Sequence, residues 1–277
     1  MNKPIRNSRR RPKPPTEPNP AVPLPEGERL QKVLAHAGLG SRRQIEGWIR
    51  DGKIQVNGRQ AQLGDRWRSE DVVKIHGRIV RLNKRLGAAI RVLAYHKPVG
   101  EVVSRRDPEG RPTIFKHLPK LEKGRWIAVG RLDINTEGLL LLTNHGELAN
   151  QLMHPSSELE REYAVRIFGA VTDDMLKKLR QGVMLEDGMA RFEAIESAGG
   201  EGANRWYKVV LKEGRNRIVR RLWESQGVTV SRLIRVRYGP VALPDGLRKG
   251  RVYELAAGEI EQLRAFVREQ TLGAPAG

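Results

Sequence analysis

The segment GRLDINTEGLLLLT, residues 130–143, is where this chain could do chemistry. One carboxylate, Asp133, stands between Arg131 and a short polar turn, and Gly138 with four leucines follows at once. A carboxylate at the edge of an apolar core is costly unless it is paired. An arginine nearby would lower its pKa and keep it ionised. An ionised, positioned carboxylate with few donors around it is a good nucleophile. The same spacing also suits an Asp that only caps the DINTEG turn, and Arg131 is an alternative partner for it. A second segment, GRNRIVRR at 214–221, gathers Arg215, Arg217, Arg220 and Arg221. On a helix Arg217 and Arg221 are neighbours four apart, whereas Arg220 points about 100° away from Arg221. That offset permits separate roles, although a solvated charged face explains the cluster equally.

Composition narrows the classes. The 277 residues suffice for one large domain, or for a large domain with a small one attached. Lys and Arg number 51 against 32 Asp and Glu, a formal charge of +19, so a polyanion such as nucleic acid is the expected partner. No cysteine is present, which excludes disulfides and Cys-type zinc sites. The six histidines lack ligand spacing, so no metal is expected. No apolar run approaches the roughly 18 residues of a membrane span. The basic N-terminus lacks an apolar stretch after it, so it does not read as a secretory signal, and a cytoplasmic protein is expected.

The elements that must position these residues follow from periodicity. Residues 1–27, rich in Pro and Arg, read as a disordered basic tail. Leu30, Val33, Leu34 and Ala37 form one helix face. Ser41 caps a second helix, with Gln44 as its capping-box partner. Ile54 and Val56 alternate ahead of the tight turn Asn57-Gly58. Arg42, Arg43, Lys53 and Arg59 stay off the apolar positions of this unit and could form one cationic face. Residues 76–90 read as a linker or a last strand of it. Strands are expected at RVLAYHKP, RWIAVG, GLLLLT, REYAVRIFG, RWYKVVLK, VSRLIRVRYG and RVYELA. Helices are expected at GELANQLMHP, TDDMLKKLRQG (capped by Thr172, ended by Gly182), RNRIVRRLWESQG and 259–268. No regular βαβ repeat appears, so the class is α+β with a mixed, largely antiparallel sheet. The C-terminal residues 269–277 read as frayed.

RLQKVLAHAGLGSRRQIEGWIRDGKIQVNG resembles the S4 RNA-binding domain. The resemblance implies binding of structured RNA through the cationic face, within a small domain spanning 28–88. GRLDINTEGLLLLTNHGELANQLMHPSSELEREYAV resembles the signature of bacterial ribosomal RNA pseudouridine synthases of the RsuA/RluB type. This likeness runs from residue 28 to about 265 and implies a pseudouridine synthase catalytic domain over 89–268. It implies that Asp133 is catalytic, that Tyr163 stacks on the target base, and that Arg220 pairs with Asp133. Arg215, Arg217 and Arg221 are then left for RNA phosphates. AYHKPVGEVVS resembles the family's K-P-x-G motif. Lys97 and Pro98 would shape the floor of the site, with Lys97 counted among the RNA-facing cations, and Arg131 would hold open the stack from which the uridine is extracted. The family commonly has an acid where this chain has His145, and Gln where it has Ile218.

The implied reaction breaks the uridine C1′–N1 bond, turns the base and joins C5 to C1′. It is neither redox nor hydrolytic, so no metal, nicotinamide, ATP or other cofactor is expected. The base must be flipped from its helix, at a cost of a few kcal/mol. Whether Asp133 attacks or deprotonates the ribose stays open. The expected partner is ribosomal RNA or a large-subunit assembly intermediate, with no membrane, and the protein is expected to be a monomer. The 23S target near the peptidyl-transferase centre is favoured. A 16S enzyme and a non-catalytic RNA-binding assembly factor are the alternatives, and the absence of a Gly-rich cofactor loop argues against a methyltransferase.

Overall fold

The computed structural model describes residues 27–83, 86–87 and 89–273. The basic tail expected over 1–27 lies outside these residues except for Gly27.

The N-terminal unit is small and closed around its own core. Helices α1 (Leu30–His36) and α2 (Arg42–Arg50) pack on strands β1 (Ile54–Val56), β2 (Arg59–Gln60), β3 (Val73–Ile75) and β4 (Arg78–Val80). Leu30, Val33, Leu34, Ile45, Ile54 and Val73 fill the space between them. The α2 cap is the reciprocal one expected: Gln44 N donates to Ser41 Oγ, and the Gln44 side chain accepts from Ser41 N. Asn57 and Gly58 both take positive φ, as a two-residue hairpin turn requires. β4 pairs with β3, so part of the stretch read as linker or last strand is a strand of this unit.

The larger unit is a seven-stranded path with helices on its faces. Its strands are β5 (Val92–Lys97), β6 (Glu137–Thr143), β7 (Arg161–Phe168), then a hairpin of β8 (Val183–Leu185) and β9 (Gly188–Ala190) outside the path, then β10 (Ala194–Glu201), β11 (Asn204–Leu211), β12 (Thr229–Tyr238) and β13 (Val252–Glu254). The spatial order is β10-β11-β7-β12-β6-β5-β13. All neighbours on this path are antiparallel apart from β12 and β6, which run parallel.

The four-leucine run is explained by this position. Leu140 and Leu142 face one core with Leu93, Tyr95 and Trp223, while Leu139 and Leu141 face the other with Val92, Ala94 and Leu152. A strand covered on both faces reads as continuous apolar sequence rather than alternation. Gly138 before it is a matter of space. A Cβ there would stand 2.3 Å from the Arg235 carbonyl oxygen, and φ is +108°. Only glycine lets the β12 backbone come that close.

The helices are α3 (Gly146–Met153), α4 (Asp173–Gln181), α5 (Ile218–Glu224) and α6 (Ala257–Gly273). Thr172 caps α4 by accepting from Met175 N. Two expectations need correction. Helix α5 begins at Ile218, because Arg217 is its N-cap in the left-handed region, φ 49°. Helix α6 runs to Gly273, through residues read as frayed, and 274–277 lie outside the described residues. His145, a departure from the family pattern, caps α3 with Nδ1 accepting from Leu148 N. Burial pushes its pKa down to about 4, so the ring is neutral, as an acceptor cap requires.

Candidate active site

The connection from Gly130 to Thr136 carries Asp133 across the mouth of a cavity of about 770 Å³. Leu132 is buried and pins the connection to the core, whereas Arg131 and Ile134 on either side of the acid are exposed. Thr136 N donates to Asp133 O (3.0 Å), closing the turn, and Gly100 N donates to Ile134 O (2.8 Å).

Beneath the turn lies Lys97, which is 0% exposed. Its Nζ donates to the carbonyls of Pro98 (2.9 Å), Asp133 (3.1 Å) and Thr136 (2.9 Å). An ammonium has three N–H bonds, and here all three are used. Burial pulls its pKa down to about 8, against the opposing charges of Glu101, Asp133 and Glu137. Lys97 is therefore a positioning residue and not an RNA-facing cation, because nothing of it is left for a phosphate to touch.

Arg220 is placed differently from the expectation too. It does not pair with Asp133. Its Nη1 donates to Val230 O (2.8 Å) and its Nη2 to Asn135 O (3.0 Å), with only 6% of the residue exposed. It fastens the Asp133 turn to β12 from the α5 side and acts on the carboxylate through space. The Asp133 carboxylate forms no hydrogen bond or ion pair with any described residue. The nearby acid that is paired is Glu137, 3% exposed, held by Lys249 (2.7 Å) and Arg232 (3.2 Å).

Tyr163 lines the same cavity from β7, with Val165 and Ile167 continuing its face into the core. Arg131, Arg215 and Arg217 line the cavity as well. Arg215 and Arg221 are not free for phosphates. Asp187, at the β8–β9 turn, accepts from Arg215 Nη1 (2.9 Å) and from both Nη1 (2.9 Å) and Nη2 (2.8 Å) of Arg221. Arg215 is held further by Glu213 (2.5 Å), and Arg217 reaches Glu224 at 3.5 Å. In the N-terminal unit Lys53 pairs with Asp51 (2.7 Å) and Arg59 with Asp65 (2.9 Å), while Arg42 and Arg43 are exposed.

One residue that sequence reasoning missed lines the cavity. Arg235 of β12 is 3% exposed; its Nε donates to Leu139 O (2.8 Å) and its guanidinium lies 5.0 Å from the Tyr238 ring centre. Its Nη2 is buried without a partner. The available signal was its place two residues after the buried Leu233, on the inward side of the strand. Among the described residues no group of three or more acids and histidines could hold a metal ion, and no helix is long and apolar enough to cross a membrane.

Comparison with known proteins gives two family matches: RNA pseudouridylate synthase over residues 91–225 and S4 domain over residues 28–73. The chain is 56% identical over 261 residues to the ribosomal large subunit pseudouridine synthase B of Pseudomonas aeruginosa, covering 94% of this chain and 67% of that protein. It is 58% identical over 242 residues to the protein of the same name from Escherichia coli K12, covering 87% and 83%. A solved structure described as a pseudouridylate synthase superposes with a TM-score of 0.59 at 25% identity, covering 85% of this chain and 99% of the other.

Proposed function

The chain belongs to the RNA pseudouridylate synthase family, and from that premise we propose that it isomerises one uridine of 23S ribosomal RNA to pseudouridine. The position we propose lies near the peptidyl-transferase centre, with uridine 2605 as the candidate nucleotide. One observation carries the assignment of roles: the unbonded Asp133 carboxylate shares a cavity with Tyr163, on a turn whose backbone is held by two buried cations. A carboxylate that keeps its lone pairs free, on a turn that cannot drift, meets the requirement for attack on or proton removal from a ribose.

The bond changes balance without an oxidant or a co-substrate. The C1′–N1 bond breaks, C1′–C5 forms, the C5 hydrogen leaves to solvent and N1 gains a proton. Tyr163 offers an aromatic face to the everted base. The Leu132 and Ile218 side chains give the cavity an apolar wall, which keeps water from a detached uracil and an exposed sugar carbon. Arg235, with a guanidinium nitrogen lacking a partner, supplies positive charge at the same wall.

The test uses large-subunit ribosomal RNA carrying C5-tritiated uridine. The wild-type protein is expected to release tritium and Asp133→Asn is not. Release that survives the substitution removes Asp133 from the chemistry. Sequencing of pseudouridines in ribosomal RNA from cells with and without the gene identifies the nucleotide, and a loss in 16S instead of 23S RNA overturns the proposed target.

A further inference from the structure

A second cavity, of about 660 Å³, lies where the N-terminal unit meets the catalytic unit. The two units touch across it. Lys32 of α1 pairs with Glu147 of α3 at 2.9 Å, and the His36 and His145 rings meet edge to face with centres 5.3 Å apart. Gly38 packs so closely on Gly124 that a Cβ would stand 2.8 Å from its backbone.

The charges in this cleft are unbalanced. Arg42 and Arg43 come from the start of α2, Arg125 from the segment after Gly124, and Arg264 and Arg268 from α6. The two carboxylates, Glu28 and Glu147, are both taken by Lys32, at 2.8 and 2.9 Å. Arg264 is held by Glu261 at 2.6 Å. Arg42, Arg43, Arg125 and Arg268 make no hydrogen bond or ion pair with any described residue, and Arg125 Nε is buried with no partner. Four unpaired guanidinium groups converging from three elements repel one another unless an anion joins them. Burial, and then Arg105 and Arg42, hold the Arg125 pKa below the usual arginine range.

The cleft adjoins the catalytic cavity, because Met153, at the end of α3, lines both. One extended polyanion could therefore occupy the two together. We propose that the cleft binds backbone phosphates of the RNA strand flanking the target uridine, so that a single RNA spans both units. This rests on the reading of the chain as a ribosomal RNA pseudouridine synthase and adds to it a second anchoring site, with Arg125 and Arg268 as contacts on the catalytic unit.

The experiment measures binding of the full-length protein to a large-subunit ribosomal RNA transcript over a range of salt concentrations. Arg125→Gln/Arg268→Gln is compared with wild type, and tritium release is followed on the same RNA. Each lost phosphate contact is expected to flatten the slope of log affinity against log salt by about 0.9, and KM to rise with the Kd. Arg268→Gln alone, an exposed change on α6, is expected to flatten the slope by about half as much as the double change and guards against a folding defect at Arg125. Slopes and KM equal to wild type in both variants overturn the cleft assignment. The binding measurement needs no turnover, so the two failures separate. A wild type that releases no tritium counts against the proposed function, whereas tritium release with an unchanged salt slope counts against the cleft alone.

Discussion

The two cavities have opposite charge logic. Around Asp133 most cations are bonded and one acid is free. In the cleft between the units both acids are bonded and four arginines have no partner among the described residues. Lys97 spends all three N–H bonds and Arg220 both Nη groups on backbone carbonyls, Arg215 is held by Glu213, Asp187 and backbone carbonyls, and Arg221 by Asp187. A cation used in this way fixes geometry and has little left for a ligand. A free arginine is poorly placed to hold a turn but well placed to meet a phosphate. The difference separates residues that build the reactive centre from residues that attract the substrate, within a single strongly basic chain.

That contrast can be broken most severely at its one free acid. Asp133→Asn is expected to lower tritium release by at least about 10³-fold, equivalent to roughly 4 kcal/mol of barrier. Because the carboxylate holds nothing in place, the thermal midpoint should stay at the wild-type value. A large drop in the midpoint would mean that Asp133 is structural. Next comes Arg220→Gln, which strands the Val230 and Asn135 carbonyls. The Val230 acceptor is buried and costs about 1–3 kcal/mol when left unpaired, so denaturant unfolding should show a loss of that order along with the activity. An enzyme of unchanged stability would show that the clamp is unimportant.

A smaller and reversible effect is expected from pH. Lys97 is protonated below about 8 and bonds three carbonyls, and above that value it loses a donor and the turn loosens. Activity should fall as pH rises through about 8. Stability should move the other way. The folded pKa lies below the ordinary lysine value of 10.5, so the unfolded chain holds the proton longer, and the contribution of this group to stability grows from about pH 8 towards 10.5. Parallel pH profiles of tritium release and of unfolding test both signs, and an alkaline limb that persists in Lys97→Met assigns it elsewhere. The smallest effect belongs to Asp187→Asn. It should release Arg221, while Glu213 and backbone carbonyls still hold Arg215, raising RNA affinity a few-fold and steepening the salt slope by up to about 0.9 for the phosphate gained. Unchanged binding would show that Arg221 only secures the hairpin.

Local signals in the sequence were readable because local geometry sets them. The Ser41–Gln44 box, the Asn57-Gly58 turn and the Thr172 cap each involve residues within three positions of one another. The resemblance supplied Asp133 and Tyr163, which the fold brings to one cavity. Charge partners were not readable. Asp187 lies 28 residues from Arg215 and 34 from Arg221, and Asn135 lies 85 from Arg220, so composition and period say nothing about which groups meet. Arg217 misled for a different reason: it lies at the edge of an apolar helical pattern but takes a left-handed backbone that few non-glycine residues adopt. Arg235 was hidden by its own strand, where alternating arginines look like a solvated face.

The contact between Gly138 and Arg235 has a consequence for how this enzyme could change. It is the far anchor of the segment that carries the acid, and it admits no atom larger than hydrogen. An inserted or lost residue between 130 and 138 could not be absorbed by sliding that anchor along its neighbour, since the next position is a leucine with a full side chain. The length of the segment is thus set by steric exclusion at its end as firmly as by chemistry at its middle.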